Sequence, residues 1–327
     1  MGTPERSQPS SDCCSGLDQC CEITLEDFAR LLGTTADDVT EDCRELIAKT
    51  DFRYRILTGV ERDQVMLRVL KTVDSGSLSV VGPGRKDVWE KGWSENLRNF
   101  ANSNYDLNEL VPKFVKRDEV IRLNANYVKP SNPDFETSFV TVLRTYLFRK
   151  YLSDASSVYE FGCGAGLNLV ALAGLYPEKK LYGLDWSTAS CDVINKIAET
   201  RNVDLSGILF DMFSPDYGLK IENCSAVFTS GAMEQLGKNY EPFLQFLLEK
   251  RFSICINIET IYELYDEDSL FDYLAARYHE RRGYLQGYLV RLRQLEAKGR
   301  IEIIKIQKMF GGLYHDAYSY IVWKPKT

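Results

Sequence analysis

Three acidic residues each close an apolar run, and one glycine-rich turn stands in front of them. The first run reads Val158-Tyr-Glu160-Phe-Gly162-Cys-Gly164-Ala-Gly166 and passes directly into a helical pattern. Glycines are needed where a backbone turns sharply from strand to helix and lets a ligand come close. Their G-x-G-x-G spacing differs from the G-x-G-x-x-G of nicotinamide dinucleotide binders. Glu160, two residues before the first glycine, would face a pyrophosphate unfavourably but suits a cationic group. Asp185 ends Leu181-Tyr-Gly-Leu-Asp185-Trp186, 21 residues after Gly164, where a carboxylate can accept two vicinal sugar hydroxyls. Asp211, in Ile208-Leu-Phe-Asp211-Met212, ends the third run and can accept an exocyclic amino proton. Any one of these acids could cap a helix or solvate a loop. Together, at the carboxyl ends of three successive strands, they make one site.

The elements that must position them alternate regularly. Strands are predicted at 158–162, 181–185, 206–211, 225–230 and 252–258, with helices near 166–175, 188–201 and 241–251. That alternation argues a parallel, doubly wound α/β sheet. Helices at 267–282 and 284–298 follow, and Ile301–Phe310 with Ala317–Trp323 read as two strands in hairpin order. Upstream, Asn132-Pro133-Asp134 opens a helix over 134–152 with Phe135, Phe139, Val142, Leu143, Tyr146 and Leu147 on one stripe. Residues 51–118 alternate short apolar runs with turn signals and contain Trp89-Glu-Lys-Gly-Trp93, a pair suited to a pocket wall or to packing. Thr24 to Asp27 resembles a capping box for a helix carrying Leu25, Phe28, Leu31 and Leu32, and a second helix is expected at 35–49. The pair superficially matches a DNA-binding helix-turn-helix. Its second helix carries Asp37, Asp38, Glu41, Asp42 and Glu45 and would repel phosphate, so the pair is read as an accessory or lid element.

The motifs EFGCGAG, LDW and FDM with the terminal strand pair resemble a class I S-adenosylmethionine-dependent methyltransferase over about half the chain. The resemblance implies a Rossmann-like seven-stranded sheet whose last strand is antiparallel, preceded here by a mainly helical N-terminal accessory region. It implies S-adenosylmethionine as cofactor, with Gly162, Gly164 and Gly166 packed against its methionine moiety and Glu160 near the amino-acid end. Asp185, with Trp186 beside it, would lie on the ribose, and Asp211 with Met212 on the adenine. The corresponding domains are a disordered tail at 1–21, an accessory or lid region at 22–118 and a methyltransferase domain at 119–327. Residues 267–298 would be a helical insertion over the active site.

A hydroxyl or carbon acceptor needs a general base, whereas an amine needs only to lose a proton to water. Candidates stand after the fourth and fifth strands. The fourth continues as Gly231-Ala-Met-Glu234-Gln235 and lacks the Asn/Asp-Pro-Pro-aromatic grip of amino-group methylases. Where many small-molecule members carry a loop resembling ALEH, the histidine is replaced here by Gln235. The fifth ends Ile256-Asn-Ile-Glu259, which makes Glu259 the preferred base or substrate anchor, with Glu234 and His315 as further candidates. His279, beside Glu280, Arg281 and Arg282, is read as exposed. Trp93, Tyr262 and Tyr314 are the candidate substrate-binding aromatics, since ring faces attract cations.

The 327 residues carry 40 Lys and Arg against 47 Asp and Glu, and an acidic chain argues against a phosphate-backbone partner. No run approaches the length of a membrane span, and MGTPERSQPS has no apolar signal core, so the expected location is the cytoplasm. Four of the nine cysteines form CC-x5-CC at Cys13, Cys14, Cys20 and Cys21. Zinc sites usually space their ligands by two to four, and the surroundings are rich in Ser and Pro, so no metal is assigned. These observations point to methylation of an N, O or C nucleophile on a small polar metabolite, in a bacterial natural-product or saccharide pathway, by an enzyme that could form a homodimer. The alternatives are a nonenzymatic scaffold on a nucleotide fold and a methyltransferase of a protein or nucleic acid.

Overall fold

The computed structural model describes residues 20–111, 117 and 119–326. The N-terminal part holds β1 (Cys20–Glu22), α1 (Leu25–Leu31), α2 (Glu41–Lys49), β2 (Arg53–Ile56), α3 (Gly59–Asp74), α4 (Lys86–Asn102), β3 (Ile121–Leu123), β4 (Asn126–Pro130) and α5 (Phe135–Tyr151). Thr24 caps α1 in a reciprocal capping box with Asp27. The helix expected over 35–49 is broken: a single turn at Ala36–Asp38 gives way to extended Val39 and Thr40 before α2 begins. Residues read as short runs and turns instead form two long helices, α3 and α4. A four-stranded antiparallel sheet, ordered β1-β2-β4-β3, was not foreseen. Cys20 and Cys21, placed in the tail, belong to it as strand residues facing Arg55 and Tyr54. The rest of the tail, with Cys13 and Cys14, lies outside the described residues. Among the described residues no three His, Cys, Asp or Glu come together as a metal site, and no helix is long and apolar enough to cross a membrane.

The second half follows the expected alternation: β5 (Ser157–Phe161), α6 (Leu167–Leu175), β6 (Lys180–Asp185), α7 (Thr188–Arg201), β7 (Leu205–Leu209), β8 (Ser225–Ser230), α8 (Glu241–Glu249), β9 (Ile254–Ile258), α9 (Leu270–Arg282), α10 (Tyr288–Ala297), β10 (Ile301–Gln307) and β11 (Tyr320–Pro325). The sheet runs β10-β11-β9-β8-β5-β6-β7, with β5 to β9 parallel and β11 antiparallel between β9 and β10. This is the doubly wound, seven-stranded sheet with an antiparallel last strand that the resemblance called for. Successive strand residues face opposite sides, as the pleat dictates. Val158, Phe228, Ile256 and Val322 enter one core with α5, α6 and α7, while Tyr159, Val227, Cys255 and Trp323 enter another with α8 and α10. The first core also takes in Phe28, Phe52 and Phe100 from the N-terminal part. The chain runs outward from β5 through β6 and β7, then crosses to β8 on the other side. Beside β5 the strand order therefore reverses, and a doubly wound sheet opens its ligand crevice at such a point.

Candidate functional site

The glycine turn leaves β5 at that crevice. Gly162, Gly164 and Gly166 all have positive φ, at 73°, 52° and 72°. A Cβ on Gly162 would stand 2.3 Å from the Ala232 side chain, and one on Gly164 would stand 2.7 Å from the Trp93 ring. Only glycine lets the turn fit between its neighbours. Asp185, at the end of β6, accepts the Gly164 N–H at 3.0 Å with one oxygen and the Ser187 N–H at 2.9 Å with the other. A carboxylate has about four acceptor positions, so half remain for a ligand. Burial raises its pKa.

Glu160 is buried, at 1% exposure. Its Oε1 accepts from Asn168 Nδ2 at 2.8 Å, but Oε2 has no partner. Burial pushes its pKa up to about 8, against the opposing effects of Asn168 and of the Arg144 charge. Arg144, on α5, makes only long bonds, to Leu167 O at 3.5 Å and Thr141 Oγ1 at 3.3 Å, and its Nε has no partner. Burial lowers its pKa while the Glu160 charge raises it. The two groups make no ion-pair contact, and each keeps an unpaired polar atom. Unpaired buried polar atoms are few in folded proteins and call for an explanation.

A cleft of about 520 Å3, counted out to its mouth, opens over the turn and is lined by Gly162, Asp185, Ala232 and a set of aromatic residues. Trp89 and Trp93 from α4 form one stacked pair, with centroids 5.8 Å apart and planes at 22°. Trp186 and Phe213 form another, at 5.5 Å and 25°, with Phe210 and Met212 beside them. The flat walls suit a heteroaromatic ring, and ring faces also attract a cation. Helix α4 is tied down by Glu90, which accepts the Thr188 N–H at 2.9 Å and the Ala189 N–H at 3.1 Å. A carboxylate at the N-terminus of α7 satisfies donors the helix leaves free and complements its dipole.

The turn after β8 carries the remaining candidates. Glu259 is not directed to the cleft: buried at 1% exposure, it accepts the N–H groups of Ala232 at 3.2 Å, Met233 at 3.1 Å and Glu234 at 3.3 Å. Burial raises its pKa to about 7 despite those bonds. Glu234 accepts from Gln235 Nε2 at 3.1 Å, and Gln235 lines the cleft. Its Oε2 lies 4.0 Å from His315 Nε2. Burial and the nearby Glu259 charge push Glu234 up to about 8. Burial and the charges of His279, Arg122 and Arg282 push His315 down to about 3, and its Nδ1 has no partner. At neutral pH the pair therefore holds one proton, on Glu234. The free His315 nitrogen is a hydrogen-bond acceptor whose protonation burial and the neighbouring cations oppose.

Gly162, Asp185, Trp186, Met212 and Trp93 thus meet at one cleft, and Glu234 meets His315 beside it. Glu160, Gly164 and Gly166 stand behind the lining rather than in it. Strand β7 stops at Leu209, two residues before Asp211, whose Oδ1 accepts the Phe213 N–H at 2.8 Å and caps its own turn. Tyr262 turns away to donate to Glu267 and Glu280, at 2.9 and 3.0 Å, and Tyr314 stacks on Tyr278 at 4.7 Å. His279 is fully buried, not exposed. Its Nε2 donates to Leu285 O at 2.7 Å, leaving Nδ1 to accept from Thr260 Oγ1 at 3.2 Å. Burial lowers its pKa to about 4. Sequence reasoning missed Arg144, Glu90, Phe210, Phe213 and Gln235, and left Trp89, with Trp93, between a pocket wall and packing. The i,i+4 spacing of Trp89 and Trp93 was the available signal, since it puts both rings on one helix face.

No family model matches the sequence, and no curated protein matches it. Among solved structures, the chain is similar to the O-methyltransferase from the trans-AT PKS multienzyme of Brevibacillus brevis in complex with S-adenosyl-L-homocysteine. The identity is 14%, the TM-score 0.42, and the match covers 58% of this chain and 73% of that one. It is similar to geranyl diphosphate C-methyltransferase from Streptomyces coelicolor at 13% identity and TM-score 0.43, over 71% of this chain and 98% of that one. It is also similar to an rRNA methylase from Escherichia coli at 12% identity and TM-score 0.43, over 93% and 100% of the two chains. These likenesses are too loose to place a residue, and the fold rests on the strand order.

Proposed function

We propose that this chain is an S-adenosylmethionine-dependent methyltransferase acting on a small polar metabolite in the cytoplasm. The observation that carries the reading is the unpaired Glu160 Oε2 opposite Arg144, behind a positive-φ glycine turn at the sheet's switch point. A ligand with an ammonium and a carboxylate on one carbon satisfies both orphaned groups, and the free lone pairs of Asp185 suit a ribose. Trp186, Met212 and Phe213 offer faces to an adenine, with Asp211 holding the turn that presents them. The bound cofactor supplies an electrophilic methyl group on a sulfonium. Everything else falls to the chain: alignment, exclusion of water by the Trp89–Trp93 wall, and removal of a proton from the acceptor. Fixing both reactants can supply on the order of 7–11 kcal/mol.

In this reading His315 Nδ1 takes the acceptor proton, and Glu234, 4.0 Å from the other ring nitrogen, gives its own proton to solvent so that its carboxylate balances the imidazolium. Glu259, the preferred base on sequence grounds, instead positions the 232–234 turn through its three backbone bonds. The net charge of −7 favours a small acceptor over RNA, and a bacterial natural-product or saccharide pathway fits such an acceptor. Calorimetry with S-adenosylmethionine and S-adenosylhomocysteine tests the cofactor. Methyl-transfer screens against small-molecule pools and against ribosomal RNA then test the acceptor. Absence of donor binding returns the chain to a nonenzymatic scaffold, and labelling of RNA alone removes the small-molecule acceptor.

A further inference from the structure

One residue grips both ends of the loop that carries His315. Arg122, on β3, exchanges two backbone bonds with Gly311 at 2.9 and 3.1 Å, which holds the start of the loop. Its guanidinium Nε donates to Asp316 Oδ1 at 2.8 Å, which holds the end, one residue past the histidine. The same guanidinium reaches α9, donating to Asp272 Oδ1 at 3.0 Å and Phe271 O at 2.8 Å, and it lies 3.6 Å above the Phe271 ring. Its side chain is wholly buried, as are nearly all of Asp272 and Asp316. Lys308 joins both carboxylates and completes a cluster of two cations and two anions. The loop doubles back tightly: a Cβ on Gly311 would stand 2.0 Å from His315 O. The Asp316 N–H adds a bond to Tyr265 Oη at 3.1 Å. The His315 ring lies over Tyr278 of α9, with centroids 5.5 Å apart and planes at 15°.

A buried ionic cluster costs desolvation that its internal attraction seldom repays with much to spare, so it adds little to stability and is better read as fixing one arrangement. Here the arrangement fixed is the loop against α9. We infer that Arg122 is the positioning residue of the site, setting the His315 imidazole on Tyr278 and opposite Glu234 by holding residue 311 on its backbone and residue 316 on its guanidinium. The functional part of this inference rests on the reading of His315 as proton acceptor.

The chain has only two histidines, so side-chain NMR of the histidine-labelled full-length protein resolves both imidazoles. In Arg122→Met the His315 signals should move and lose their contact with the Tyr278 ring, while those of His279 stay. Turnover should fall about 10²-fold, the cost of a misplacement near 1 Å, with methyl-donor affinity unchanged. In a His315→Gln background the same substitution should cost nothing further. Unmoved His315 signals in a folded Arg122→Met protein, or losses that multiply in the double variant, overturn the inference. Should Arg122→Met not fold, Asp316→Ala removes the acceptor of the same clamp from the loop side and must give the same His315 signature. Wild-type turnover in His315→Gln would instead reject the proton-acceptor reading, and the imidazole signals would then decide the clamp by themselves.

Discussion

Arg144 and Glu160 are each held with one polar atom unpaired, and the two atoms discriminate between ligands in a way that can be measured. Methylthioadenosine keeps the nucleoside and lacks the amino-acid end, whereas S-adenosylhomocysteine has both. Charge-assisted hydrogen bonds are worth roughly 1.5–3 kcal/mol. Arg144→Met and Glu160→Gln should therefore each weaken S-adenosylhomocysteine binding about ten- to a hundredfold and leave methylthioadenosine within about twofold in calorimetry. Equal losses for both ligands would mean that the variants damage the cleft rather than the clamp. A proton accompanies the same event. Glu160, raised to about 8 by burial, is mostly protonated at pH 7 and must ionise to face an ammonium. Binding should thus release a proton and tighten as pH rises from about 6 to 8, which calorimetry in buffers of different ionisation enthalpy would report. The sequence carried Glu160 and Asp185 plainly, because an acid at a strand end beside glycines is a local pattern. Arg144 lies in an amphipathic helix among ordinary helix formers, where nothing local distinguishes a buried orphan from a solvated cation. Glu259 was read as emerging toward substrate because its strand is apolar. That strand leads instead under the turn after β8, whose three free N–H groups claim the carboxylate.

The elements divide sharply in how legible they were. From β5 to β11 the strand–helix alternation is written in apolar runs and glycine punctuation, whereas the seven-stranded sheet with its antiparallel last strand came from the family resemblance. Over 51–118 the helices α3 and α4 are polar on most of their surface, and their glycines and turn residues dominated the local reading although Trp89, Trp93, Leu97 and Phe100 keep helical spacing. Helix α4 is the element whose loss should matter most to the site. It supplies Trp89 and Trp93 to the cleft wall and Glu90 to the α7 N-terminus. Glu90→Ala leaves two helix donors without their partner, a loss typically of about 1 kcal/mol for a capping group. The variant should melt at a lower temperature and bind S-adenosylhomocysteine more weakly, because α4 is then free to lift from the cleft. Gly164→Ala should be worse, since it combines a φ of 52° with a 2.7 Å approach to the Trp93 ring. Near wild-type affinity in that variant would show that the ring moves aside at no cost.

At the scale of the molecule, the N-terminal helices and the large sheet share one core, in which Phe28 and Phe52 join Phe139 from α5 and Phe228 from β8. The Phe28 and Phe139 ring centroids lie 4.8 Å apart, and Phe148, also on α5, lies 5.4 Å from Phe228. Burial this continuous should give one cooperative unfolding transition by calorimetry, with no separate N-terminal melt. The pH dependence of that transition follows from its buried acids and histidines. Glu160, Glu234 and Glu259, raised by burial to about 8, 8 and 7, each contribute stability that is complete below the unfolded value of ~4.3 and lost as pH rises through the folded one. His279 and His315, lowered by burial to about 4 and 3, do the opposite: their contribution is complete above ~6.5 and lost as pH falls toward the folded value. Between pH 5 and 6.5 the two histidines offset only part of the loss from the three carboxyls. Above 6.5 the histidines have nothing more to give, and the carboxyls alone set the slope. The transition temperature of the ligand-free protein should therefore fall from pH 5 to 8.5, less steeply below 6.5 than above it, by several degrees in all, at ~2–4 °C per kcal/mol for a chain of roughly this size. Glu160→Gln removes one titrating group and should flatten the fall, whereas saturating S-adenosylhomocysteine should reverse the Glu160 part by favouring its ionised form. A transition temperature that rises steadily from pH 5 to 8.5 would mean that these carboxyls are ionised and paired in the folded protein, and with them the proton bookkeeping of the site would fail.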